Sequence, residues 1–163
     1  MPGSSQGAQS EGRGIMFELL GKHRKRLVFA RLTALAGLIV SIAMMYLGGH
    51  HAGQLPGVAF HITATLGAGA AGWFCMGAFG HAATVGWMIA LTGGIGMTIL
   101  GAVFAGIMIG GYFNGLGGAI AFPALGFIAI IDAAESPHAV LVWLICMSGL
   151  HLLTGSMRRR GSV

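Results

Sequence analysis

The sequence predicts an all-α integral membrane protein: a bundle of about four transmembrane helices with one short Pro-containing segment, either re-entrant or a fifth crossing. Three observations predict it. Apolar residues make up 55% of the 163 positions and charged residues only 8%. Soluble domains carry about a quarter charged residues, so this chain lacks the material to cover a water-facing surface. Several apolar runs reach the length of about 20 residues that a membrane crossing needs. The 30 glycines lie inside those runs, often beside alanine, with no triplet period. In lipid, small residues let helix backbones approach closely, and packing holds the helices together.

Residues 1–21 read as a disordered cytoplasmic extension, because 1–14 are rich in Gly, Ser and Gln and poor in apolar residues. Met16 offers a second start within it. The membrane domain is read as 22–157. Lys22-His23-Arg24-Lys25-Arg26 precedes span one, Leu27 to Gly48, whose Arg31 is near enough to the entry to snorkel. The run exceeds a signal-peptide core and no clean cleavage pattern follows it, so it reads as an uncleaved anchor. Gly49 to Pro56 forms a turn ending in the proline that suits a helix start. Span two follows over Gly57–Gly80, then a tight turn at His81, then span three over Thr84–Gly111. Span three rises about 40 Å, beyond the ~30 Å hydrocarbon core, so a tilt or a kink at Gly93-Gly94-Ile95-Gly96 is expected. Tyr112 to Gly115 reads as an interfacial turn. Leu116–Ile131, with Pro123 inside it, is short for a span. Asp132 to Pro137 reads as the one acidic loop, and His138–Ser156 as the last span before the basic tail, 158–163.

Charge placement sets the expected topology. All nine Lys and Arg residues flank the membrane domain, in Arg13–Arg31 and Arg158–Arg160. Positive flanks prefer the cytoplasm, which puts both termini there and requires an even number of crossings. Short loops and basic flanks fit a bacterial inner membrane. The net charge of +5 therefore serves orientation and contact with anionic lipid, and no nucleic-acid partner is implied. Trp73 and Trp87 flank the cytoplasmic turn, and Trp143 lies toward the opposite interface, as aromatic belts do.

Seven histidines in so apolar a chain raise cofactor chemistry. Ionisable residues inside spans are functional candidates by default. His61, His138 and His151 are the candidate cofactor ligands, for haem or chlorophyll, although nothing in the sequence requires either. His138 and His151 stand 13 residues apart on one helix, about 20 Å along its axis. That resembles the spacing of paired haem ligands in membrane cytochromes of b type, but span two offers Cys75 and Met76 where a facing histidine belongs. His50, His51, His138, Asp132 and Glu135 form a candidate divalent-metal set at the outer level. The bland alternative is that lone histidines hydrogen-bond to neighbouring helices.

Two small-residue stripes stand out. Ala64, Ala68 and Gly72 recur every four positions in span two, and Ala102, Gly106 and Gly110 do so in span three. Each puts small groups on one helix face, suited to tight packing within the chain or on another subunit. No catalytic set is visible: Ser41, Ser136, Ser148 and Ser156 lie outside any Gly-x-Ser-x-Gly elbow, and the Gly-rich stretches lack a phosphate-loop lysine. Cys75 and Cys146 form no spacing motif. Three functions follow as expectations. The first is a small non-catalytic multi-pass membrane subunit that packs through its Gly/Ala helix faces against a larger membrane complex, its partners being other membrane subunits or copies of itself. The second is a small transporter or channel component. The third is a haem- or pigment-binding redox subunit.

Overall fold

The computed structural model describes residues 5–47 and 57–160, with backbone alone at 5–20, 22, 121 and 125. The described chain is all-helical. Its elements are α1 (Ser5–Leu47), α2 (Gly57–Cys75) with a 3-10 turn at Met76–Ala78, α3 (Ala83–Ala121), α4 (Pro123–Glu135) and α5 (Pro137–Arg160). Four helical stretches are long and apolar enough to cross a membrane: His23–Leu47, Gly57–Ala78, Ala83–Ile120 and Pro137–Arg160.

Small residues set the helix neighbours. Gly37 of α1 abuts Ala64 and Ala68 of α2, and Gly72 abuts Thr33 of α1. On the opposite side of α2, Gly67 faces Gly101 and Ala105 of α3. A side chain at these glycines would meet atoms of the next helix, so the close approach depends on their absence. Phe29 and Phe79 are fully buried with ring centroids 5.2 Å apart. Buried hydroxyls are paired, as an apolar surrounding demands. Thr33 Oγ1 donates to Phe29 O at 3.1 Å, and Trp143 Nε1 donates to Thr98 Oγ1 at 2.8 Å.

The break in α3 differs from the expected one. The helix runs unbroken through Gly93–Gly96 and loses helical geometry at Asn114 (φ −132°, ψ 15°) and Gly115 (φ 60°, ψ −148°). Gly93 rests on Ala78, and Gly94 lies beside Met147 and Trp143, so packing holds the helix where composition alone weakens it. Gly115 takes a conformation that only glycine adopts without strain. The chain then reverses along α3: Gly118 abuts Gly110, Phe122 and Pro123 abut Gly106, and Gly126 abuts Ala102. The short segment thus forms a hairpin with α3. Its α4 portion is 13 residues, a rise of about 20 Å, too short to cross alone.

Three further boundaries differ. Asp132–Glu135 is not a loop but the last turn of α4, and Ser136 alone separates α4 from α5. Pro137 disfavours the helical region for the residue before it, and Ser136 is extended (φ −98°, ψ 109°). Its hydroxyl accepts the Ala139 amide (3.3 Å), as a helix N-cap does, and donates to Leu47 O (2.6 Å), tying the α4–α5 joint to the end of α1. α1 begins at Ser5, within the stretch whose composition reads as disordered. Arg158–Arg160 belong to the last turn of α5, where cations complement the helix dipole, rather than to a separate tail. The turn containing His50 and His51 lies outside the described residues.

Candidate functional site

The basic end of the bundle gathers the chain's polar aromatic and cationic groups. After α2 the chain turns through Phe79 and Gly80 into α3. Gly80 has φ 79°, and a Cβ there would sit 2.8 Å from both the Gly155 nitrogen and the Thr154 carbonyl carbon of α5. Only glycine combines that backbone with that approach. The contact delivers the Gly80 amide to Nδ1 of His151, at 3.2 Å. His151 is 4% exposed, and Trp87, one turn into α3, covers it with ring centroids 4.4 Å apart.

That amide fixes the imidazole. Nδ1 accepts, so the neutral ring carries its proton on Nε2, which makes no hydrogen bond among the described residues. Gly77 O accepts two donors, His81 Nε2 at 2.8 Å and Arg158 Nη2 at 3.1 Å, joining the α2–α3 turn to the last turn of α5. Between them lies an open cleft of about 450 Å³ lined by His81, Trp87, His151, Arg158 and Arg159 among others, with no carboxylate in its wall. Nearby, the His23 ring of α1 lies 5.9 Å from that of Trp73. Both basic flanks therefore sit at one end of the bundle.

The other sequence candidates are dispersed. His61 lies between α1 and α2: Ser41 Oγ lies 2.8 Å from Leu38 O and 2.9 Å from His61 Nδ1, a hydrogen bond between the two helices. His138 is exposed at the start of α5, whereas His151 is buried on the same helix. No ring contact or hydrogen bond joins any two of these three histidines among the described residues. Of the metal candidates, Glu135 and His138 are exposed, Asp132 is buried, and His50 and His51 are not described. Among the described residues no three His, Cys, Asp or Glu side chains come together. The stripe Ala64, Ala68 and Gly72 lies against α1, and Ala102, Gly106 and Gly110 against the returning segment, both inside the chain.

Asp132, a loop residue and metal candidate by sequence, is 5% exposed, with Oδ1 buried and without a hydrogen-bond partner. It lies in the last turn of α4, where the helix dipole also disfavours an anion. Sequence reading also placed Gly80, His81 and Trp87 near the membrane boundary but not against His151. The usable signal was that the His81 turn and the triple arginine share a depth. Protein-family models, curated proteins and solved structures yield no match to this chain.

Proposed function

We propose that this chain is a small, non-catalytic multi-pass subunit that docks on a larger membrane assembly, in a bacterial inner membrane with both termini cytoplasmic. The observation that carries the reading is an apolar rim at the end opposite the basic groups. Tyr46, Val58, Tyr112, Leu116 and Ile120, at the ends of α1 and α2 and on the α3 hairpin, are each at least 73% exposed. From Ala83 to the break before Asn114, α3 rises about 46 Å against a hydrocarbon core of ~30 Å. If α3 starts at one boundary and stands upright, the rim would come out at the headgroups of the other, where acyl chains would cover Leu116 and Ile120 poorly. The Gly/Ala stripes are used within the chain, so the rim, not the stripes, is the surface left for a partner.

The test is solubilisation in mild detergent after photo-crosslinking from a reactive residue at Leu116. A protein adduct that co-purifies supports the reading. A partnerless monomer, cross-linked to lipid alone, overturns it.

Asp132 favours a second reading, a transporter or channel component. A buried acidic side chain with one carboxylate oxygen unpaired, on the helix that follows the interrupted α3, is the kind of group that takes up a coupling cation or proton. Cation flux into vesicles holding the purified chain, lost in Asp132→Asn, supports this reading; equal flux in the variant removes it.

A further inference from the structure

We infer that the cleft at the basic end binds a phosphate-bearing anionic group, as a phospholipid headgroup or a free phosphate. The inference is independent of the subunit reading.

Three elements send donors to one place. His151, from α5, is nine-tenths buried, its Nδ1 is occupied by the Gly80 amide, and its Nε2 has no partner among the described residues. That N–H is not sealed away, since Asp132 Oδ1 is the one fully buried side-chain atom left unpaired among the described residues; the N–H opens onto the cleft that His151 lines, where an anion oxygen can accept it. Arg158 spends one N–H on Gly77 O, and a guanidinium has five, so it remains a donor for a second oxygen. The third element is the start of α3. Its N-cap, Ala82, supplies no side-chain hydrogen bond, and Ala82 and Ala83 line the cleft. The first-turn amides of a helix lack intrahelical acceptors and carry its positive dipole end. Ala83 itself stands at φ 67°, an uncommon conformation for a residue with a side chain and a form of strain found at binding sites.

Charge and shape agree. No Asp or Glu lines the cleft, so its wall carries positive and no negative side chains. Its volume of about 450 Å³ lies within the range of small-molecule sites, roughly 300–1,000 Å³. One lip is the exposed Leu152, which gives a polar floor an apolar edge. That combination suits a headgroup whose acyl chains leave along α5. Basic pockets between helices at this depth select anionic lipids by the same physics.

The test uses the full chain, delipidated in an uncharged detergent and examined by native mass spectrometry. The probes are short-chain phosphatidylglycerol, phosphatidylcholine with matched chains, and inorganic phosphate. Phosphatidylglycerol retained over phosphatidylcholine, with affinity falling about tenfold or more in Arg158→Gln/Arg159→Gln, supports a lipid headgroup. Inorganic phosphate bound with the same arginine dependence, without preference for the lipid, supports the anion site with a soluble source. Because the double variant also loosens the Gly77 contact, Leu152→Trp, which narrows the lip without removing charge, serves as the second variant; it is expected to reduce lipid retention while the unfolding midpoint stays put. Equal retention of both lipids, or unchanged phosphatidylglycerol and phosphate binding in both variants, overturns the inference.

Discussion

The Gly80 amide donates to Nδ1 of His151 at 3.2 Å across 71 positions of sequence. This bond seals the α2–α3 turn onto α5 and leaves the imidazole with one nitrogen to offer. A substitution at Gly80 therefore acts through backbone, not through lost chemistry. Gly80→Ala is expected to lower stability by about 1–3 kcal/mol, since it strains a positive φ and crowds Thr154 and Gly155. The unfolding midpoint in detergent checks it; an unchanged midpoint means that the turn does not press on α5.

Glycines in the bundle divide by what they face. A Cβ at Gly72 collides with the Thr33 side chain, whereas one at Gly96 meets nothing within 4 Å. Gly72→Ala is expected to destabilise by at least 1 kcal/mol, by overpacking. Gly96→Ala is expected to stabilise by about 0.5–1 kcal/mol, by removing backbone entropy from the unfolded chain. Equal effects at the two positions, measured by detergent or urea titration, would contradict the α1–α2 register.

Much of the fold was legible because a membrane span announces itself by length and apolarity, and four such stretches emerge as helices. Local breaks were less legible because they depend on context. Gly93 and Gly94 read as a kink, yet Ala78 and Met147 pack against them and hold the helix. Asp132-Ala133-Ala134-Glu135 read as a loop by its charge, although Ala and Glu are strong helix formers and only Pro137 forces the chain to turn. The cleft was not legible. Its parts lie on three elements, and nothing local in the sequence states that Trp87 covers His151.

The Trp143–Thr98 hydrogen bond ties α5 to α3 in the middle of the bundle. A double-mutant cycle with Trp143→Phe and Thr98→Val is expected to give a coupling of about 0.6 kcal/mol, and no more than about 1.7, the range for interhelical bonds in membranes. A coupling of zero would mean that the bond does not form.

Asp132 is held against stability. Its Oδ1 is buried without a partner at the C-terminal end of α4, so Asp132→Asn, which removes the charge, is expected to raise stability by about 1 kcal/mol or more. The unfolding midpoint near neutral pH measures this. A loss of stability would show that the carboxylate has a stabilising partner.

The most direct test of the whole account is the sidedness of the two basic flanks, which the bundle places at one end. In a Cys75→Ser/Cys146→Ser background, single cysteines at Gly21, Met157 and Glu135 are challenged with a membrane-impermeant maleimide on intact spheroplasts. The account predicts labelling at Glu135 from outside, and at Gly21 and Met157 only after permeabilisation. Gly21 and Met157 reacting from opposite sides, or the chain remaining in the soluble fraction without detergent, would contradict it.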